Sequence, residues 1–387
     1  MEDRRQILLL PGPTPVPSRV LRAMSAPAID HRGPEFKEMI TEITEGLKTV
    51  YRTQNDVLIL TASGTGGMEA AVTNFLSPGD KALVVSIGSF GDRFVKICKA
   101  FDVEVEVLAY EWGTAARAED VAERLARDPN GEIKAVLVQH NETSTGVLND
   151  IEAISRARGN HPALLIVDAI SGLVAAELQT DAWNLDVVIS GSQKAFMIPP
   201  GLSMISVSPR AWEVNARCRN RRYYFDLQSA KEFLAKGQTP FTPAVSVMFG
   251  LREALRLLLA EGLEKAHARH RLYRDMIRAG VKALGLELLA ADDVASPAVT
   301  AIKVPAGMAP KDIRAPLRER FGVVSAGGQG KLSDAIFRFG HLGYVDPNDI
   351  ISALAALELV LAEKGLAVSR GSAVAAAEEV LAKYLAA

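Results

Sequence analysis

Short apolar runs rich in β-branched residues alternate with amphipathic segments, and this alternation restricts the fold more than any other feature. The strand-like runs lie at residues 56–60, 81–86, 103–110, 133–139, 163–168, 186–190 and 202–208. Helical patterns separate many of them, at residues 66–76, 93–101, 118–127 and 150–159. A strand–helix–strand order predicts a mostly parallel seven-stranded sheet covered by helices on both faces. We therefore expect one large α/β domain.

The periodicity changes towards the C-terminus and indicates a second, smaller unit. A long helical pattern over residues 245–285 carries the chain out of the large domain. The segments that follow are a strand at 298–305, a helix at 309–322, a glycine-rich turn, a strand at 335–340 and helices near 347–364 and at the end. The sequence thus predicts a proline-rich segment packing near the active site (1–19), a large domain (20–265) and a smaller C-terminal α/β domain (266–387).

The composition argues against several kinds of partner. The chain has 44 Lys or Arg and 46 Asp or Glu, so its formal net charge of −2 gives no attraction to nucleic acid or an anionic membrane. Cys98 and Cys218 are too few for a disulfide framework, and their spacing fits no metal site. No apolar run approaches the ~18 residues that span a bilayer, and no signal-peptide core is present. We expect a cytoplasmic protein that acts on a small molecule.

A turn of small residues follows the first strand-like run. In "TASGTGGMEAAV" the backbone amides of Gly64 and Thr65 would lie at the start of a helix, where an anion such as phosphate is favoured. The hydroxyl groups of Ser63 and Thr65 add donors. The stretch is neither a Walker motif nor a dinucleotide-binding fingerprint. An ordinary capped turn is the equally open alternative.

Two charged residues follow later runs. Asp168 ends "ALLIVD", where it is either a helix cap or a carboxylate that needs a cationic partner. Lys194 follows "DVVIS" and stands between two apolar segments, although a single lysine is usually a surface residue. If both strands belong to one sheet, the two side chains lie at the same edge, where ligands bind in α/β folds.

An anion site, a carboxylate and a lysine at one sheet edge are what pyridoxal 5'-phosphate requires. The cofactor needs a phosphate site, a carboxylate for its pyridinium nitrogen and a lysine for a Schiff base. The lysine also moves protons during the reaction. The sequence therefore predicts Lys194 and Asp168 as catalytic residues.

The sequence also resembles a known family. It is similar to the class V aminotransferases among the fold-type I pyridoxal-phosphate enzymes, especially the alanine–glyoxylate and serine–glyoxylate (serine–pyruvate) group. The blocks that carry the resemblance are "LLLPGPTPVP", "ASGTGGMEAAV", "IGSFGDR", "HNETSTGVLNDI", "LLIVDAISGL", "SGSQKAFMIPPGLSMISVS", "TPFTPAVSVMFGLREAL" and "FRFGHLG". They cover nearly the whole chain in the family's order.

The resemblance implies a role for each matching position at the cofactor. Lys194 matches the Schiff-base lysine, and Asp168 matches the partner of the pyridine nitrogen. The phosphate turn, with a further phosphate contact beside the lysine, corresponds to Ser63, Gly64, Thr65 and Gln193. Phe90 matches the aromatic residue that stacks on the cofactor ring, where relatives often carry tryptophan.

Other matches concern the phenolic oxygen, the substrate and a second subunit. Thr143 matches the residue that hydrogen-bonds the cofactor's phenolic oxygen, and Arg338 matches the arginine that binds the substrate carboxylate through paired hydrogen bonds. Thr239 and Thr242 match residues that reach the phosphate of the neighbouring subunit, which implies a homodimer with shared active sites. The resemblance also suggests that residues 11–14 lie near the substrate entrance, with a role for His31 there left open.

The implied reaction moves an amino group from alanine or serine to glyoxylate by a ping-pong mechanism and yields glycine. Aspartate, ureidoglycine, phosphoserine or a phosphonate remain alternative substrates. A pyridoxal-phosphate lyase or desulfurase is a less favoured alternative, the desulfurase because neither cysteine lies on a late loop. A non-catalytic cofactor-binding scaffold is a further alternative. Arg219, Arg221 and Arg222 form either a solvated charged face or an additional substrate contact. No metal is expected.

Overall fold

The protein is described by a computed structural model that covers residues 6–386. Its strands are β1 (Ile7–Leu9), β2 (Asp56–Ala62), β3 (Lys81–Ser86), β4 (Glu104–Ala109), β5 (Ile133–Gln139), β6 (Asn141–Glu142), β7 (Val147–Leu148), β8 (Leu164–Asp168), β9 (Val187–Gly191), β10 (Gly201–Val207), β11 (Val299–Lys303), β12 (Val323–Gly327) and β13 (Ile336–Gly340).

Helices cover much of the remaining chain. They are α1 (Ser18–Met24), α2 (Pro34–Tyr51), α3 (Gly64–Phe75), α4 (Ser89–Ala100), α5 (Ala118–Ala126), α6 (Ile151–Arg158), α7 (Pro209–Asn215), α8 (Leu227–Leu234), α9 (Val245–Glu261), α10 (Leu263–Ala283), α11 (Pro310–Phe321), α12 (Pro347–Glu363) and α13 (Ser372–Leu385). None of those between residues 6 and 386 is long and apolar enough to cross a membrane.

The large sheet has seven strands in the order β2-β10-β9-β8-β5-β3-β4. All neighbouring pairs are parallel except those of β10, which runs antiparallel to both β2 and β9. Only residues 192–200 connect β9 to β10, and a parallel crossover needs a dozen or more residues. The predicted mostly parallel seven-stranded sheet is confirmed, and this short connection explains its antiparallel strand.

Helices cover both faces of the large sheet. Successive residues of a strand point to opposite faces, and in the central strands they pack into two different cores. In β5, Val136 and Val138 join the core that contains residues of α2 and α9. Ala135 and Leu137 join the core that contains residues of α3 and α4. The middle of a central strand is buried on both sides, which is why residues 135–138 of β5 form a continuous apolar run.

A second sheet of four strands has the order β1-β12-β13-β11. Here β1 runs parallel to β12, whereas β13 is antiparallel to β12 and β11. The sequence predicted β11 and β13 but treated the start of "SAGGQGKL" as a turn, although Ser325 to Gly327 belong to β12. Glycines in a short strand weaken the local signal, so pairing with distant strands decides the structure.

The division into residues 1–19, 20–265 and 266–387 stays a prediction. Its second boundary falls inside α10, whose first turn and later turns enter different cores. Leu263 and Ala266 pack in the large-sheet core, whereas Tyr273 and Met276 pack with Phe337 of the small sheet.

Candidate active site

Three chain segments meet at one edge of the large sheet. Strand β2 ends before Ser63, β8 ends at Asp168, and β9 ends shortly before Lys194. Strands β8 and β9 are parallel and pair Asp168 with Ile189, so both leave the sheet at the same edge. Strand β2 points the same way, since β10 is antiparallel to both β2 and β9. The sheet therefore brings together the phosphate turn, the carboxylate and the lysine.

The Lys194 amine lies in a poorly hydrated site. Burial lowers its pKa to about 8, Asp168 opposes that shift, and the positive charges of Arg338 and Arg93 add to it. The amine donates a hydrogen bond to the carbonyl oxygen of Pro11. A lysine with this pKa is partly neutral near pH 7, as a nucleophilic amine must be.

Asp168 is buried at the end of β8. Burial raises the pKa of its carboxyl to about 7, with a further rise from Glu142, against the lowering effects of the Ile170 amide, Arg93 and Lys194. The Ile170 N–H donates to Asp168 Oδ1 over 2.9 Å. This hydrogen bond orients the carboxylate, and the nearby cations favour its charged form.

The start of α3 has open backbone donors. Ser63 is the N-cap but makes no side-chain capping hydrogen bond, so the first N–H groups of the helix keep their capacity to bind an anion. A Cβ on Gly191 would lie 3.3 Å from Gln193 Oε1 and 3.6 Å from Gly64 Cα, which places the Gln193 amide beside the turn. Gln193 Oε1 is buried without a hydrogen-bond partner among the described residues.

Glu142 holds the start of α4. Gly88 is the N-cap and offers no side chain, and the Glu142 carboxylate accepts from the Phe90 N–H over 3.0 Å and the Gly91 N–H over 3.2 Å. Burial raises the pKa of Glu142, while these bonds and those from Ser144 oppose the shift. Glu142 thereby fixes the backbone that carries Phe90.

Thr143 connects two parts of the site. Its Oγ1 lies 2.8 Å from Ser171 Oγ, and its carbonyl oxygen accepts a hydrogen bond of 2.8 Å from Arg338 Nη1. Arg338 Nε donates to the carbonyl of Gly327 over 2.8 Å. Two backbone acceptors thus orient the Arg338 guanidinium on β13, and further N–H groups can bind a carboxylate. Burial lowers the Arg338 pKa to about 10, which leaves it charged at neutral pH.

The N-terminal segment lies against the lysine. Thr14 donates from its hydroxyl to the Lys194 carbonyl over 2.9 Å and from its N–H to the Gln193 carbonyl over 3.2 Å. A Cβ on Gly12 would lie 2.8 Å from Lys194 Cδ and Cε. The segment therefore forms one wall around the amine.

Thr239 and Thr242 lie outside this group. With Thr61, Tyr224 and Phe241 they line a pocket beside the end of β2. No hydrogen bond between the described residues links either threonine to Lys194. Their assignment to the neighbouring subunit's phosphate stays a prediction.

The arginines of "RNRR" lie at the far end of α3, where Arg222 pairs with Asp226 and donates to the Thr73 carbonyl. His31, partly buried, makes no hydrogen bond to the Lys194 group within residues 6–386. Neither feature contributes to the geometry around the lysine.

Residues that the sequence interpretation did not assign also line the site. The Arg93 guanidinium stacks on the Phe90 ring, and the Ser171 hydroxyl hydrogen-bonds to Thr143. His140 is buried, and this burial lowers its pKa to about 3, so its ring is neutral. Arg93 had a detectable signal, because it follows Phe90 by three residues and shares a helix face with it. Glu142 and Ser171 act through contacts between distant segments and left no local signal.

The sequence model described as aminotransferase class-V matches residues 7–335. The chain belongs to the class V aminotransferase family. This class V aminotransferase is 48% identical over 380 residues to a protein named soluble hydrogenase 42 kDa subunit of Anabaena cylindrica, covering 98% of this chain and 99% of that one. It is 39% identical to the L-aspartate–glyoxylate aminotransferase of Paracoccus denitrificans (96% and 95% covered) and 39% to the serine–glyoxylate aminotransferase of Hyphomicrobium methylovorum (97% and 94%).

A solved structure has the same fold. The ureidoglycine–glyoxylate aminotransferase of Bacillus subtilis superposes with a TM-score of 0.92 at 32% identity, over 98% of both chains. Family and fold establish a class V aminotransferase that uses pyridoxal 5'-phosphate. The site fits this cofactor, since Ser63 leaves the N–H groups at the start of α3 uncapped, and the Gln193 amide, whose NH2 group can donate to a phosphate, lies beside them. Within residues 6–386, no cluster of His, Cys, Asp or Glu suits a metal ion.

Proposed function

We propose that this aminotransferase moves the amino group of alanine or serine to glyoxylate, giving glycine by a ping-pong mechanism. The observation that carries the proposal is the orientation of Arg338 beside Lys194. Two backbone carbonyls hold its guanidinium, and its charge acts on the Lys194 amine. A carboxylate bound there places the adjacent Cα of an amino acid near the lysine.

The chain's own residues supply binding, orientation and proton transfer. Bound pyridoxal 5'-phosphate supplies the electron sink that stabilises the carbanion formed at Cα. Lys194, with a pKa of about 8, can accept and return a proton near neutral pH. Asp168 supplies negative charge for the pyridinium nitrogen, and Phe90 offers a flat face to the ring. Thr143 supplies the hydroxyl for the phenolic oxygen.

A small amino donor suits the restricted space around the lysine. Pro11 and Gly12 lie directly against the Lys194 side chain, and a single added methyl group at Gly12 would overlap it. A substrate with a short side chain, such as alanine or serine, fits the space left beside this segment better than one with a long side chain. Glyoxylate, which has no side chain, is the smallest 2-oxo acid acceptor.

Aspartate is the second candidate donor. The relatives named for aspartate–glyoxylate and serine–glyoxylate transfer are equally similar to this chain, at 39% identity each. The names of both include glyoxylate, so the likeness supports the acceptor more than the donor. Ureidoglycine is a further option, because the superposed structure carries that name.

A desulfurase reaction has less support. It needs a reactive thiolate, whereas burial raises the pKa of the Cys98 thiol to about 12. Cys218 donates through Sγ to the Thr73 carbonyl, at the end of α3 remote from the phosphate turn. Neither sulfur contacts Lys194.

A panel of amino donors tests the proposal directly. Alanine, serine and aspartate are each assayed against glyoxylate and pyruvate, with product formation and the cofactor's spectral change as readouts. We expect the highest kcat/KM with alanine or serine plus glyoxylate, and parallel double-reciprocal lines. Preference for aspartate would replace the proposed donor, and intersecting lines would contradict the ping-pong mechanism.

Arg338 has its own test. Replacing it by Ala removes the guanidinium and should raise the KM of both donor and acceptor at least tenfold, because charge-assisted hydrogen bonds contribute about 1.5–3 kcal/mol. Arg338→Lys keeps the charge but loses the paired donors, so it should recover only part of the loss. The visible absorbance of bound cofactor should persist in both variants. An unchanged KM in Arg338→Ala would show that the carboxylate binds elsewhere.

A further inference from the structure

Arg93 is a cation in the cofactor site to which the proposed reaction gives no task. It lies in α4, one helical turn after Phe90. Its guanidinium carbon is 4.4 Å from the centroid of the Phe90 ring, a distance typical of cation–π stacking. Its Nη1 donates a hydrogen bond of 2.9 Å to Thr65 Oγ1. The side chain therefore bridges the ring-stacking residue and the phosphate turn.

The charge of Arg93 is not neutralised by a neighbouring acid. No ion pair joins it to a carboxylate within residues 6–386, and the adjacent Asp92 accepts instead from Ser86 Oγ over 2.7 Å. Arg93 nevertheless acts electrostatically on both Asp168 and Lys194. A partly buried guanidinium that has no carboxylate partner is available to an anion bound beside it.

The phosphate turn has the complementary need. The cofactor's phosphate is a dianion near neutral pH, and the first N–H groups of α3 offer only partial charges. Gln193 adds a neutral amide at this spot. Lys194 and Arg338 are assigned to the cofactor ring and the substrate. Among the described residues, Arg93 is the cationic side chain that hydrogen-bonds to the turn.

We propose that Arg93 is a phosphate-binding residue of the cofactor site, with its guanidinium oriented by Thr65 and Phe90 and supplying the full positive charge that the helix start lacks. The proposal depends on the cofactor and not on which amino acid is the donor. Its test therefore measures cofactor binding alone, and it can fail while the proposed transamination holds.

The experiment compares two ligands that differ only in the phosphate. Protein freed of cofactor is titrated with pyridoxal 5'-phosphate and with pyridoxal, and each Kd is read from visible absorbance. Arg93→Gln should raise the Kd of pyridoxal 5'-phosphate at least tenfold and change the Kd of pyridoxal less than about twofold, since the lost charge-assisted bond involves the phosphate. Arg93→Lys should give a smaller loss, because it keeps the charge without the planar fork.

A matched control lies on the same helix. Lys96→Gln removes one positive charge from an exposed position of α4 and should leave both Kd values unchanged. A further readout needs no aldehyde chemistry: inorganic phosphate should raise the Tm of the cofactor-free protein, and Arg93→Gln should reduce that rise.

Equal weakening of both ligands by Arg93→Gln would overturn the proposal and assign Arg93 to support of Phe90. Unchanged affinity for both ligands would overturn it as well. If Arg93→Gln does not fold, the same comparison of Kd values for pyridoxal 5'-phosphate and pyridoxal is made with Arg93→Lys. A loss of affinity confined to the phosphorylated ligand supports the proposal, and an equal effect on both ligands contradicts it.

Discussion

At the scale of the residue, the site depends on two groups whose pKa values move towards each other. Burial lowers the pKa of Lys194 to about 8 and raises that of Asp168 to about 7. Each shift reflects the cost of placing a charge in a poorly hydrated environment. The result is an amine that is far easier to deprotonate than an ordinary lysine.

The reactivity of Lys194 should follow this pKa. Only the neutral amine attacks an aldehyde, so the rate of pyridoxal 5'-phosphate uptake should rise with pH through about 8 instead of through the usual lysine value. Stopped-flow absorbance between pH 6 and 10 measures the profile. Lysine acetylated at its α-amine, which keeps the ε-amine free, is the reference. A midpoint shared with that reference would contradict the depressed pKa.

Gly12 provides a second residue-scale prediction. An alanine there would place Cβ 2.8 Å from Lys194 Cδ and Cε, so Gly12→Ala should slow cofactor uptake at least tenfold by displacing the lysine. Gly79→Ala is the matched control, because Gly79 also has a positive φ (83°, against 126° at Gly12) but open space around its Cβ. The control should lose stability and keep the uptake rate. Equal uptake rates in the two variants would rule out steric contact with Lys194.

At the scale of the element, Asp186 connects strands and helices at the sheet edge opposite the site. Its carboxylate accepts from Arg158 Nη1 over 2.7 Å, from Arg210 Nη2 over 2.5 Å and from the Leu165 N–H over 2.7 Å. The side chains of Arg158 and Asp186 are 8% and 5% exposed, so the pair is shielded from water. This network fixes the start of β9, the strand that leads to Lys194.

Removing that charge should destabilise the fold. Asp186→Asn leaves the buried Arg158 without a counter-charge and should lower the free energy of unfolding by about 3 kcal/mol or more. Glu152→Gln breaks the exposed Arg156–Glu152 pair and should cost under about 1 kcal/mol. Urea denaturation of both variants measures the difference. Similar small losses would show that the Asp186 network contributes little.

Elements also show what the sequence could and could not predict. The strands of the large sheet were predictable because each carries its own local signal, either a short apolar run or, in β4, an alternation of apolar and charged residues. Strand β1, with three residues, was not, because its stability comes from β12. The cap of α4 was not predictable either, since Glu142 supplies it from another segment. Lys194, Asp168 and the turn at Gly64 followed from their positions at strand ends, whereas Phe90, Thr143 and Arg338 required the resemblance.

At the scale of the whole molecule, we expect two copies of the chain to complete each other's active sites. Tyr223 and Tyr224 are 81% and 46% exposed, and Phe241 lies against both, with ring centroids 5.6 and 5.1 Å away. This aromatic surface adjoins Thr239 and Thr242. An exposed aromatic group of this kind is characteristic of protein interfaces.

Subunit mixing tests this expectation. A Lys194→Ala chain and a Thr239→Ala/Thr242→Ala chain should each have little activity, yet their mixed dimers contain one site with both groups intact. Random exchange after co-expression should restore about a quarter of wild-type activity, since half of the dimers are mixed and each has one good site of two. Mixing the finished proteins without exchange is the control. Activity equal to the sum of the two variants would mean that the sites are not shared.

The pairing of β1 with β12 has a consequence for the growing chain. Ile7 emerges from the ribosome early, but it pairs with Val323, which is made near the end of synthesis. Until then β1 has no partner strand, and the Thr14 hydrogen bonds to the Gln193 and Lys194 carbonyls are contacts that can hold Pro11 and Gly12 near the lysine. The large sheet, with all its strands complete by Val207, can form well before this wall is added. We therefore expect a stage of synthesis in which Lys194 is in place while β1 is still unpaired, so that the wall over the lysine depends on Thr14.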